Sequence, residues 1–296
     1  MLTALIVAAR IAANPVSNVF QKQLAQRAAD PLFIIGTTHA LLTLACGAVL
    51  LLDPSRLQAP AAFWADIIVA AALAVAGNVL LVHALKSGDL SVLGPINAYK
   101  ALLSLVLGVV LLGEVPTPMG VAGMLLILAG SPFVVDSAAA RPGRNAFGQF
   151  LRSPGVPFRF AALALSATEA VFLKRALLLS TPLTTFALWS ILGLPIAGVG
   201  AALLLRGRVR REFVLLTRQP GKYIWLALAT GIMQWTTIVT FGRLQVGYSL
   251  ALFQLSALVS VFLGYRYFQE RDIRKRLAAA AVMVAGAAII VTFGER

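Results

Sequence analysis

Three ionisable side chains, Arg10, Lys100 and Glu169, sit in the middle of otherwise apolar runs of this sequence. A charge in such a setting costs at least about 2.5 kcal/mol unless it meets a partner or a water-filled cavity. Two cations and one anion exceed what a single ion pair needs. One reading is that Arg10 and Lys100 attract an anionic or carboxylate-bearing ligand while Glu169 pairs with one of them or carries a proton. The other is a structural salt bridge. Asn14 and Asn18 follow Arg10 at four-residue steps, so on a helix the three form one polar stripe. Further polar candidates for ligand contact are Asn78, Asn97, Tyr99, Gln234, Trp235 and Gln254. His83, whose ordinary pKa lies near neutrality, joins Glu169 as a candidate coupling group.

The elements that would position these groups are membrane spans. Of the 296 residues, 59% are hydrophobic and 12% charged, and the mean hydropathy is +0.88. Soluble domains carry roughly 25% charged residues, so the expected solvent is a bilayer. Apolar runs near 2–20, 31–52, 61–84, 90–112, 117–136, 158–178, 182–205, 222–242, 247–268 and 276–293 predict ten transmembrane helices of about 20 residues each. The first run holds Arg10 and ends in Gln21, Lys22 and Gln23, with no small-residue cleavage site, so it is expected to be retained. Pro15 and Pro95 fall within spans, where the missing donor permits a kink. The two longer connections, 137–157 and 206–221, read as loops.

The first of these connections divides the chain nearly in half, and the halves resemble each other. Ser104, Gly108, Glu114, Ala129 and Gly130 recur 156 positions later as Ser260, Gly264, Glu270, Ala285 and Gly286. Val19, Phe20 and Lys22 match Val171, Phe172 and Lys174, and Pro31-Leu32 match Pro182-Leu183. The expected organisation is an N-terminal repeat (1–136), a basic linker (137–157) and a C-terminal repeat (158–296). Five helices per half is an odd number, so the second half must enter the membrane upside down. The fold class is therefore all-α, ten spans in two inverted repeats, the arrangement that serves alternating access in secondary transporters. Ser104 and Gly108, like Ser260 and Gly264, predict close helix contacts. Glu114 and Glu270 precede the fifth and tenth spans and are expected to cap them, and Lys22 and Lys174 to anchor at the interface.

The segment from Ser104 and Gly108 to Gly113-Glu114, with Pro116, Thr117, Gly120, Gly123 and Ala129-Gly130 after it, resembles the end of an EamA repeat of the drug/metabolite transporter superfamily. The second copy is looser, with Gln269 where the first has Gly113. The resemblance implies a transporter of amino acids, nucleotide sugars, sugar phosphates, riboflavin or drugs, with no one substrate favoured. It also implies a cavity lined by spans 1, 3, 4, 6, 8 and 9, with spans 5 and 10 packed outside. The leading expectation is a proton- or exchange-coupled carrier, exporter or exchanger, of a small polar metabolite. A flippase of lipid-linked headgroups is the alternative, and a membrane enzyme or non-transporting partner subunit is a weaker one.

Competing chemistry is absent from the sequence. Two distant histidines and the lone Cys46 make poor material for a metal site, and no phosphate-binding loop, serine elbow or cofactor motif is present. The net charge of +14 does not point to nucleic acid, because the basic residues lie in short connections between apolar runs. The expected partners are a small-molecule substrate and the lipid bilayer, in a monomer or homodimer, and the expected location is a bacterial inner membrane. Connections after the odd-numbered spans hold 18 Lys and Arg residues and the opposite side holds five. By the positive-inside rule both termini lie outside the cytoplasm, although ten-helix relatives are often described the other way round. A C-terminal reporter that is active only in the cytoplasm is therefore expected to stay silent; strong activity would reverse the topology.

Overall fold

The computed structural model describes residues 2–27, 29–87, 96, 99–134, 155–205, 207–256, 258–259 and 273–294, and these are helical with short connections. Among the described residues are eleven α-helices: α1 (Leu2–Gln26), α2 (Pro31–Leu52), α3 (Ala61–Ser87), α4 (Tyr99–Leu112), α5 (Pro118–Val134), α6 (Val156–Leu178), α7 (Pro182–Leu204), α8 (Val209–Arg218), α9 (Pro220–Phe241), α10 (Val246–Phe253) and α11 (Ile273–Phe293). Six of them, α1, α2, α3, α6, α7 and α9, are long and apolar enough to cross a membrane, and α4, α5 and α11 contain shorter apolar helical stretches. The protein is an integral, multi-pass membrane protein. Pro95, Asn97, Ser260, Gly264, Gln269, Glu270 and most of the 137–157 linker lie outside the described residues.

Local chemistry explains the boundaries. Proline, which has no amide hydrogen to lose at a helix start, stands in the first turn of α2, α6, α7 and α9. Asp30 caps α2 by accepting from the Leu32 amide at 2.9 Å, and Thr181 caps α7 by accepting from the Thr184 amide at 3.3 Å. These caps occupy corresponding places in the two halves. Pro15 lies inside α1, which continues through it. The connection at 206–221 is not a plain loop: it contains α8, whose apolar residues recur at helical spacing between arginines.

The most extensive helix pairs are α1 with α9, α3 with α6, α2 with α7 and α5 with α11, while α4 packs equally on α10 and on α6. Exchanging α1, α2, α3 and α5 for α6, α7, α9 and α11 maps the first four pairs onto themselves, and among the described residues the packing of α4 on α6 has no comparable counterpart between α10 and α1. Apolar side chains cover the outside, with Leu51 82% and Leu52 86% exposed, as acyl chains require. Hydroxyls are turned inward: Thr38, Thr237, Thr240 and Ser249 donate to carbonyls one turn back along their own helices. Asp66, buried on α3, pairs with Arg175 of α6 at 3.3 Å. Cys46 is buried and takes part in no disulfide.

The α5–α11 pair is set by two glycines. A Cβ on Gly123 would stand 2.7 Å from the Gly286 carbonyl oxygen, and one on Gly286 would stand 2.5 Å from that of Gly123. With no hydrophobic force between helices in lipid, such backbone contact supplies the association. Gly123→Leu or Gly286→Leu is expected to separate the pair and destabilise the protein by about 1–3 kcal/mol, the usual cost of overpacking, read as a lowered melting temperature in detergent. An unchanged melting temperature would exclude this role.

Candidate substrate cavity

Inside the bundle, one face of α1 meets α3, α4, α6, α7, α9 and α10 around a polar cavity. Its volume is about 130 Å³. Arg10, Asn14 and Asn18 line it from α1, one turn apart, as the stripe in the sequence predicts. Asn78 contributes from α3, Lys100 from α4, Glu169 from α6, Gln234 from α9 and Gln254 from the end of α10. No described residue of α5 or α11 lines it; these two helices are engaged with each other.

Several expected residues fall elsewhere. Tyr99 is 60% exposed and outside the cavity lining, and Trp235 faces outward against Phe186 at 5.7 Å. His83 is also outside the lining, stacked 5.6 Å from Phe158. The geometry favours Lys100 over Tyr99 and Gln234 over Trp235 for a simple reason. Adjacent residues on a helix point about 100° apart, since 3.6 make a turn.

Residues that hydropathy alone does not single out complete the site. Arg159 belongs to the first turn of α6 and lines the cavity. Ser166, Trp189, Thr230, Thr237, Phe241 and Phe253 line it as well. The Arg10 Nε donates to Thr237 Oγ1 at 2.7 Å, and its guanidinium carbon lies 4.6 Å from the centre of the Phe253 ring. Its Nη1 is buried and has no hydrogen-bond partner. Gln234 Nε2 donates to Glu169 Oε1 at 3.4 Å. Among the described residues, no salt bridge within 4.0 Å joins Glu169 to Arg10 or Lys100.

Asn14 Nδ2 donates to Ser256 Oγ at 3.1 Å, and Ser17 and Thr230 share a hydrogen bond at 3.1 Å, tying α1 to the second half beside the cavity. Asn78 donates from Nδ2 to the Ala74 carbonyl on its own helix at 2.8 Å. Chain direction places the ends of α1 and α3 and the starts of α4 and α6 at one end of the bundle. The cavity extends toward this end, past Asn18, Leu81 and Arg159.

The opposite end is closed. Glu114, in the α4–α5 connection, accepts from Lys174 Nζ of α6 at 2.5 Å and from the Val246 amide that starts α10 at 3.1 Å to each oxygen. Lys174 also donates to the Leu244 carbonyl at 2.9 Å. Gln245 Nε2 donates to the Val115 carbonyl, and the Tyr248 hydroxyl to that of Thr117, at 2.9 and 3.2 Å. So Glu114 caps α10, not α5, and Lys174 is half of an ion pair instead of a free interfacial anchor.

Two glycines make this geometry available. Gly113, at φ 66°, turns the chain so that the Glu114 amide returns to the Gly108 carbonyl at 3.2 Å. A Cβ on Gly108 would stand 2.6 Å from the Glu114 carboxylate. Gly108 is therefore small to admit Glu114, while Ser104 supplies the helix contact by donating to the Ala167 carbonyl at 3.4 Å.

Phe241 sits at the junction. It is 1% exposed, lines the cavity on one side, and on the other lines an open groove bounded by Glu114, Lys174 and Arg243. Phe253 lies 6.5 Å from it, ring centre to ring centre. This aromatic pair separates the cavity from the groove.

Comparison with known proteins agrees with this architecture. The model of the EamA-like transporter family matches residues 1–135. A crystal structure of a protein 19% identical superposes with a TM-score of 0.71, covering 99% of this chain and 98% of the other, and so shares the fold. No curated protein matches at the sequence level.

Removing the partition should open the closed end. In a Cys46→Ala, Ser166→Cys background, a membrane-impermeant maleimide is expected to label the cavity poorly from the groove side. Adding Phe241→Ala should raise that labelling about tenfold or more, the factor that loss of about 1.4 kcal/mol of closure produces. Equal labelling with and without Phe241 would show that the ring is not the barrier.

Proposed function

We propose, with residues 1–135 belonging to the EamA-like transporter family of the drug/metabolite transporter superfamily, that this membrane transporter carries a small anionic metabolite by alternating access. The observation that carries the anionic preference is the state of Arg10 and Lys100. Both face the cavity, neither is joined to Glu169 by a salt bridge within 4.0 Å, and Arg10 retains a buried, unbonded Nη1. A carboxylate or phosphate could supply the missing acceptor through a charge-assisted hydrogen bond. Phe253, on which the guanidinium rests, fixes its plane.

In this reading Arg10 and Lys100 bind the anion, and Asn14, Asn18, Asn78 and Gln254 contact its polar remainder. Gln234 holds Glu169, which takes up a proton or exchanges charge as the substrate leaves. His83, near the end of α3, belongs to any proton path and not to the binding contacts. Division into repeats 1–136 and 158–296, related by inversion, would account for the pairing of α1 with α9, α3 with α6, α2 with α7 and α5 with α11. It would let the halves exchange roles as the cavity changes sides. The cavity would then stand open toward the basic, cytoplasmic end, with the Glu114 cluster and Phe241 closing the outer end. A bacterial inner membrane with both termini outside the cytoplasm fits the charge distribution.

The test is thermal-shift screening of purified protein against amino acids, dicarboxylates, phosphorylated sugars and nucleotides. Proteoliposome flux with and without a pH gradient follows. At least one anionic class is expected to stabilise the protein and to move. Arg10→Gln and Lys100→Gln should each weaken its binding about 10- to 100-fold, the range for a hydrogen bond to a charged group worth about 1.5–3 kcal/mol. Either variant transporting normally while melting earlier would assign that residue to structure instead.

A further inference from the structure

We propose that α8 is an interfacial helix whose arginine face binds the anionic phospholipid headgroups of the leaflet at the basic end of the protein. Its location follows from connectivity. Helix α7 crosses the membrane and ends at Leu204, and α9 starts its own crossing at Pro220, so the residues between them lie at the membrane surface.

One side of α8 is fixed to the bundle. Glu212 is buried and accepts the Asp30 amide at 3.0 Å, directly at the cap of α2. Phe213 meets Phe33 edge-on at 5.2 Å, and Val209, Leu215 and Leu216 pack against the cluster that contains Phe33 and Tyr223. The helix is therefore held in one orientation.

Its other side is cationic. Arg210, Arg211 and Arg218 belong to this helix together with a single acid, Glu212, which is turned inward and already bonded. Arg210 is exposed, while Arg208, also exposed, spends one nitrogen on the Leu204 carbonyl at 3.1 Å. Among these charges Phe213 is 54% and Val214 44% exposed. A cationic face beside exposed apolar side chains, on a helix lying at the end of two spans, is complementary to headgroup phosphates and the acyl chains beneath them. A soluble acidic partner would match the charges and leave Phe213 and Val214 in water.

Lipid binding here would also bear on the cavity. The C-terminal end of α8 leads through Gln219 into α9, which carries Thr230, Gln234 and Thr237, while Glu212 holds the start of α2.

The experiment compares full-length wild type with an Arg210→Gln, Arg211→Gln, Arg218→Gln variant in nanodiscs of phosphatidylcholine alone and of phosphatidylcholine mixed with phosphatidylglycerol. The anionic lipid should raise the wild-type melting temperature by several degrees at low salt. The triple variant should lose at least half of that rise while melting with wild type in phosphatidylcholine, and high salt should remove the rise, because surface charge acts within about 10 Å at 0.1 M. If the triple variant does not fold, Arg210→Gln and Arg218→Gln singly should each lose part of the rise. The same melting temperature in both lipids would overturn the proposal, as would a full rise in the variants. So would an equal rise from polyaspartate added to phosphatidylcholine discs, which would point to an acidic protein partner.

Discussion

A bilayer core supplies no hydrogen bonds, so the guanidinium of Arg10 must be solvated by the protein that contains it. Much of the arrangement around α1 answers to that requirement. Thr237 accepts from Nε, the Phe253 ring underlies the guanidinium plane, and the buried Nη1 left unbonded belongs to a side chain that lines the cavity. The neighbouring links, Asn14 to Ser256 and Ser17 to Thr230, place α1 against the second half so that its polar stripe never meets lipid. Arg10, Lys100 and Arg159 line the cavity together with Glu169, so its lining holds more cationic than anionic side chains among the described residues.

The closed end rests on a different device. Glu114 is shared between an ammonium from α6 and the first amide of α10, so one carboxylate ties three segments. Its connection holds it there through the positive φ of Gly113 and the space above Gly108. Beneath it, Phe241 and Phe253 meet ring to ring. Polar groups at a membrane surface can exchange partners with water when they separate, whereas the same groups at the midplane could not.

How much of this is legible in the sequence depends on whether the signal is periodic or long-range. Helix positions come from hydropathy, and the Arg10, Asn14 and Asn18 stripe from the helical repeat, because both are local properties of the chain. The same periodicity, applied more strictly, sets Lys100 against Tyr99 and Gln234 against Trp235, since neighbours cannot share a face. Arg159 stands at the edge of a predicted span, where basic residues are counted with the connections, yet it lies inside the first turn of α6 and lines the cavity. Glu114 has the position of a cap on the span that follows it, but its amide partner is 132 positions away. No local rule encodes that pairing. Helix α8 escapes hydropathy, which averages its arginines with its leucines, whereas their separation onto two faces is visible only at helical spacing.

The repeated signature gains a physical meaning from the one copy that is described. Ser104, Gly108 and Glu114 recur 156 positions later, and in the first copy they supply a helix contact, a space, and a carboxylate that caps the opposing repeat. Lys174, its ammonium partner, has Lys22 as its counterpart in the duplicated pattern. An inverted duplication carries every such device to the other side of the membrane. Two halves that are alike but not identical, Gly113 in one standing against Gln269 in the other, need not close both ends with equal strength. A carrier of the proposed kind requires that difference to be small, because substrate binding can only redistribute states whose free energies already lie close together.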